Sequence, residues 1–255
     1  MLVSAKGMEG TTVVAVEGEI GKVDRLLIDD ETWTVRYLIV NVGSLFHRQR
    51  VLISPIPVKQ VDWEKKEVRL SLTREQVKDS PDVDAEAPIS RKSEVELHRH
   101  YGWPVYWGGA GLWGGSMVPG NLAVNPLPEE LLRPSPPQDG DLKDENLAES
   151  RLLSVNQLTG FTLKTHDGEL GQVDDFIIDD HSWTVRFLVV DAGSWLSSKK
   201  VMIDKDSVED VDMADARVHV DLVKDNIKGS PEYEPSDPIN EEGEKGRFDY
   251  YGRPR

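Results

Sequence analysis

The chain is 255 residues long, with 30 Lys plus Arg, 46 Asp plus Glu and a formal net charge of −16. It has no cysteine, which excludes disulfide scaffolds, thiolate zinc sites, iron–sulfur ligation and cysteine nucleophiles. The acidic balance argues against a protein that grips phosphate backbones, since that takes clustered Lys and Arg. Met1 to Gly10 carries Lys6 and Glu9 and lacks an apolar stretch, so no secretory signal is expected. The longest uncharged run, Tyr101 to Pro128, is too rich in Gly and Pro to predict a membrane span. The expectation is a soluble, cytoplasmic protein.

In chain order, Thr12 to Val16 predicts a short β-branched strand and Gly18-Glu19 a turn. Ile20 to Ile28 and Thr34 to Val40, with Asp29-Asp30-Glu31 between them, predict a hairpin. Gly43-Ser44 is expected to turn the chain, and Val51 to Ile53, Val58 to Val61 and Val68 to Leu72 read as further strands. Thr73-x-x-Gln76 is a capping-box pattern that opens one helical turn before Ser80-Pro81 stops it.

The whole pattern then returns. GEIGKVDRLLIDDETWTVRYLIVNVGS at Gly18 reappears as GELGQVDDFIIDDHSWTVRFLVVDAGS at Gly168, at a constant offset of 150. About 26 of 66 positions from Gly18 to Val83 are identical to their counterparts. The unit is domain-sized and used twice, with Val223 in place of the capping threonine of the first copy. The expected domains are 1–104 and 152–255, each with a C-terminal tail, joined by a Gly/Pro/Trp-rich linker over 105–151 with little structure of its own. The nets of these three stretches are −2, −10 and −4 respectively, so the second copy holds most of the acidity. Short strands with tight turns and little helix predict an all-β architecture of two small antiparallel barrels, a form that removes exposed sheet edges.

GEIGKVDRLLIDD, WTVRYLIV, the VLIS strand and the closing SPDVD resemble the PRC-barrel domain. That domain is the small β-barrel of the photosynthetic reaction-centre H subunit's cytoplasmic part and of a ribosome maturation factor. HYGWPVYWGGAGLWGG and YYGRPR also look like the endings of stand-alone bacterial tandem PRC-barrel proteins. The resemblance implies a binding and assembly module with no catalytic residues and no cofactor to carry across. The chain lacks the membrane helix of the H subunit and the partner domain of the maturation factor.

The candidate side chains each carry two readings. Asp29-Asp30 and Asp179-Asp180 recur at a predicted hairpin turn, where Asp bonds nearby backbone N–H groups; paired carboxylates also coordinate divalent ions or act as acid and base. None of His47, His98, His100, His166, His181 and His219 aligns with another histidine in the other copy, which is not what a duplicated catalytic site leaves. His98-x-His100 reads as part of a solvated tail. Nucleophile-elbow, zinc-helix and phosphate-loop motifs do not occur, so no enzyme activity and no metal or catalytic residue is assigned. Arg48, Arg50, Lys199 and Lys200 form modest basic clusters. Trp33-Thr-Val-Arg36 and Trp183-Thr-Val-Arg186 are either core-covering aromatics with carboxylate-held arginines or a Trp/Arg hot spot for a partner. Trp103, Trp107 and Trp113 either dock back onto a barrel or form an adhesive segment for a partner or a second copy of the chain. The expected function is protein binding or assembly, with a basic protein as the partner of the acidic copy and nucleic acid disfavoured. Alternatives are an RNA- or ribosome-associated factor and a barrel that binds a small ligand or metal.

Overall fold

The structure is a computed structural model that describes residues 1–44, 47–82, 88–107, 110–124, 150–193, 199–230 and 232–233. The fold is mostly β. Strand β1 (Leu2–Ser4) and one helical turn, α1 (Ala5–Met8), open the chain. Two compact units follow from the packing: Glu9–Leu152, and Met1–Met8 together with Leu153 onwards.

In the unit of Glu9–Leu152 the strands are β2 (Thr12–Ala15), β3 (Gly18–Asp29), β4 (Thr34–Ser44), β5 (His47–Ile53), β6 (Val58–Asp62) and β7 (Glu67–Leu70). They pair in the order β6-β7-β2-β3-β4-β5. The β3–β4 hairpin falls where the apolar runs flank Asp29-Asp30-Glu31, with Asp29 opposite Thr34. Thr34 to Val40 is buried throughout, which is why it reads as a continuous apolar run rather than an alternating one. Helix α2 (Arg74–Lys78) starts on the predicted capping box: Thr73 Oγ1 accepts from Gln76 N at 3.2 Å, and Gln76 Oε1 accepts from Thr73 N at 2.8 Å.

Four features differ from expectation. Gly43 and Ser44 do not turn the chain; they stay paired with Arg48 and His47, so β4 and β5 run longer than the apolar residues that mark them. The arrangement is not purely antiparallel, because β2 and β7 pair in parallel through Thr12–Glu67 and Val14–Arg69. Among the described residues no pairing joins β5 to β6 to close a ring. The fourth is a helix, α3 (Arg91–Tyr101), where a solvated tail was expected. Ser90 caps its start by accepting from Ser93 N, and Gly102 ends it at φ +69°, a left-handed conformation that glycine takes without penalty. Glu94, Leu97 and His98 form its buried face at i, i+3, i+4 spacing.

After a further turn, α4 (Gly120–Val124), residues 125–149 of the expected linker lie outside the described residues. The second copy then repeats the elements: β8 (Leu152–Ser154), α5 (Val155–Leu158), β9 (Thr162–Thr165), β10 (Gly168–Asp179), β11 (Thr184–Asp191), β12 (Lys200–Asp204), β13 (Val208–Asp212), β14 (Arg217–Val220) and α6 (Lys224–Lys228). The parallel pair recurs as β9–β14. Helix α6 starts on Val223 with no side-chain cap.

The leading strand is the surprise. β1 pairs antiparallel with β10, Leu2 to Ser4 against Asp179 to Ile177. Strand β10 is long: β9 covers Gly168 to Gln172 on one edge, and β1 takes up the edge beyond. The unit therefore contains β1 from the head of the first repeat. Ser4 Oγ donates to Asp175 Oδ2, Lys6 N donates to Asp175 Oδ1 at 3.1 Å, and Lys6 Nζ pairs with Asp174 at 2.8 Å. Leu2 packs on the core cluster of Ile177, Phe187, Val189, Met202 and Tyr233. In the other unit the head of the second repeat plays the matching part: Asp30 N donates to the Arg151 carbonyl at 3.2 Å, and Arg151 Nε donates to Asp30 Oδ1 at 2.7 Å.

Candidate functional site

The paired aspartates are turn formers. Asp29 Oδ1 accepts from the backbone N–H of Glu31 and Thr32, at 3.0 and 3.1 Å, and Asp179 Oδ1 accepts from His181 N at 3.1 Å. This turn leaves Trp33 and Trp183 in a left-handed conformation, φ +53° and +62°, with both indoles buried.

Arg36 is 2 % exposed, and a guanidinium so deep must have its charge and donors met. Its Nη2 lies 3.1 Å from Asp29 Oδ2 and 2.9 Å from Thr32 Oγ1, and its Nη1 donates to the Leu112 carbonyl. The Tyr106 ring lies 4.0 Å from the guanidinium carbon and the Trp113 ring 5.1 Å. The described part of the Trp/Gly segment is thus built into the unit. Gly114, at φ +70°, sits where a Cβ would come within 2.5 Å of the Val105 carbonyl, so the strap closes only with glycine there.

Beside Arg36 lies a buried polar chain. Tyr37 Oη is 2.9 Å from Glu94 Oε2 and 2.8 Å from His98 Nε2, while His98 Nδ1 is 2.8 Å from the Pro104 carbonyl. A carbonyl only accepts, so Nδ1 carries a proton. Tyr106 Oη donates to the same Glu94 oxygen at 2.7 Å, and Arg91 Nη1 lies 3.0 Å from the other. Burial, with the Arg91 and Arg36 charges, lowers the His98 pKa to about 4, and burial raises the Tyr37 and Tyr106 hydroxyls above their usual range. This chain binds α3 and the strap to β4. His98 is accordingly an interior residue, and His100 lies on the surface against the Gln76 carbonyl at 2.8 Å.

The side chains put forward as a partner surface are mostly interior. Trp33, Arg36, Trp103, Trp113 and Trp183 are buried, whereas Trp107 and Arg186 are half-buried. Arg91 stacks on Trp107 at 4.2 Å.

A family model of the PRC-barrel domain matches residues 3–77 and again residues 152–227. The chain belongs to the PRC-barrel family. No curated protein matches it.

The two PRC copies are not equivalent in chemistry. Tyr37 is replaced by Phe187, so the second copy cannot form the Tyr–Glu–His chain at that strand position. The β13–β14 hairpin of the second copy exposes Glu209, Asp210 and Asp215, with Asp221 just beyond it. The same hairpin of the first copy, β6–β7, exposes Lys59, Gln60 and Lys65, followed by Ser71. The backbones correspond pair by pair: Val61 faces Val68 as Val211 faces Val218, and Asp62 faces Glu67 as Asp212 faces Arg217. Arg217 offsets part of the acidity by pairing with Asp215 at 2.6 Å and Glu169 at 3.2 Å. Of the 22 Asp and Glu residues in the stretch 152–255, four (Glu209, Asp210, Asp212 and Asp215) are brought together on this hairpin by the pairing of β13 with β14. Among the described residues, the group of side chains suited to a metal is His166, Glu209 and Asp221. No described helix is long and apolar enough to cross a membrane.

Proposed function

We propose that the protein is a non-catalytic binding and assembly module, in which the β13–β14 hairpin presents an acidic face to a basic protein partner. The observation that carries this reading is the reversal of charge on one conserved backbone frame: Glu209, Asp210 and Asp215 stand where the first copy has Lys59, Gln60 and Lys65. Exposed charges of one sign on a rigid two-stranded frame favour encounter with a surface of opposite sign and disfavour like-charged ones. Two copies of unequal charge in one chain suit a module that brings different partners together, with each held more firmly for being tethered to the other.

The test compares the full chain with an Asp210→Gln, Asp215→Lys variant, immobilised and exposed to native lysate at about 50 and about 300 mM salt. The expected result is capture of basic proteins that salt releases and the variant fails to retain. Identical capture by both chains, or capture insensitive to salt, overturns the reading.

A further inference from the structure

We propose that the second PRC copy holds a divalent transition-metal ion between His166, Glu209 and Asp221. Three neighbouring strands bring these residues together. In the parallel β9–β14 pair, Arg217 faces Thr162 and His219 faces Lys164, so the same face reaches Asp221 and His166 at the next step along it. In the antiparallel β13–β14 pair, Val208 faces Val220, and a bulge between Val208 and Asp210 leaves Glu209 as the extra residue at that end. One ligand atom from each side chain lies within 4.8 Å of the others, and all three residues are exposed.

Ligand atoms around a tetrahedral zinc ion at about 2.1 Å stand roughly 3 to 4 Å apart, so exposed side chains need only small torsions to close on it. Two carboxylates neutralise the ion, and the imidazole selects against calcium and magnesium, which prefer all-oxygen sets. His166 Nε2 now lies 2.8 Å from Asp221 Oδ1, with the proton that a metal would displace. The group does not share its chemistry with the first copy. There the corresponding residues are Val16, Lys59 and Ser71, although the local backbone is the same. His166 N donates to the Leu222 carbonyl at 3.0 Å as Val16 N does to Leu72 at 2.9 Å; Asp221 N and Ser71 N each donate at 2.8 Å to Ser207 and Pro57. Three substitutions from non-ligand to ligand therefore coincide at one place on an unchanged frame.

The experiment is calorimetric titration of the full chain with zinc chloride near neutral pH, with magnesium chloride alongside. Wild type is expected to take up one equivalent of zinc. His166→Gln, which keeps both carboxylates, and the triple variant His166→Val, Glu209→Lys, Asp221→Ser are each expected to lose it. Grafting Val16→His, Lys59→Glu and Ser71→Asp onto wild type is expected to add a second equivalent. No uptake by wild type overturns the proposal. So does uptake unchanged in His166→Gln or in the triple variant, and so does displacement of zinc by an equal concentration of magnesium, which is diffuse attraction to acid. The readout is zinc uptake and not partner capture, and His166→Gln leaves Glu209, Asp210 and Asp215 in place, so the outcome is independent of the basic-partner reading.

Discussion

Trp33 and Trp183 hold a backbone conformation that costs an L-residue roughly 1–2 kcal/mol, yet both copies place their bulkiest side chain there. The reason is burial: removing a buried tryptophan side chain costs about 3–5 kcal/mol, more than the strain relieved. Trp33→Gly is therefore expected to destabilise the protein by about 2–4 kcal/mol in chemical denaturation. Lys66 and Ala216 have the same left-handed conformation, at φ +52° and +50°, but are exposed at hairpin turns. There the balance reverses, and Lys66→Gly or Ala216→Gly should stabilise by about 0.5–1 kcal/mol in the same measurement. His98 sets a pH dependence. Its pKa of about 4 lies below the ordinary 6.5, so the unfolded chain binds the extra proton more readily. Stability from this residue is whole above about 6.5, falls as pH drops towards 4, and loses nothing further below that. The drop amounts to about 3 kcal/mol. It should appear as the difference between denaturation curves of wild type and His98→Gln across that interval. A His98 proton titrating by NMR at its unperturbed position removes the argument.

At the scale of elements, the leading strand makes the clearest prediction. Strand β1 supplies backbone partners to the last residues of β10, Leu2 adds to the core, and Ser4 satisfies part of the buried Asp175. Deleting residues 1–8 should accelerate hydrogen exchange first in β10, which lies in the second repeat, and not in β3. The opposite order would show that β1 is dispensable there. Capping offers a gain: Val223 is partly exposed and makes no cap bond, whereas Thr73 does, so Val223→Thr should stabilise α6 by about 1 kcal/mol. Thermal denaturation of the full chain reads it. The strands and α2 were legible because apolar runs, turn residues and the capping box are local signals. Helix α3 was missed because two arginines, two glutamates and two histidines obscure a pattern whose buried face includes Glu94 and His98. Its legible marks were Ser90 before it and Gly102 after it. The placement of β1 is not legible in the strand itself, since Leu2-Val3-Ser4 and Leu152-Leu153-Ser154 are near-identical; the residues that differ are Lys6 against Asn156 just beyond it and, far along the chain, Asp175 against Arg25. The buried polar chain was illegible for the same reason: Tyr37, Glu94, His98 and Pro104 meet only when α3 and the strap fold onto β4.

Across the whole molecule, a net charge of −16 is carried unevenly, with the second repeat at −10 and the first at −2 over its first 104 residues. A field from many carboxylates acts at a distance, whereas a contact between two side chains acts only after docking, and the two separate kinetically. Exposed pairs in water contribute about 0–1 kcal/mol each, so the acidic hairpin should do little to slow dissociation of a bound basic partner. Its effect belongs in the encounter, where complementary fields raise association rates by about 10-fold or more at low salt. With a Lys/Arg-rich peptide as probe, the association rate should fall steeply as salt rises past the point where the screening length drops below about 10 Å, while the dissociation rate changes little. Asp210→Gln with Asp215→Lys should flatten that dependence, because it replaces two exposed anions with a neutral group and a cation on the same backbone. Stopped-flow measurement of both rates decides the matter. A salt effect confined to dissociation would place the charges in a desolvated contact instead of in a steering field.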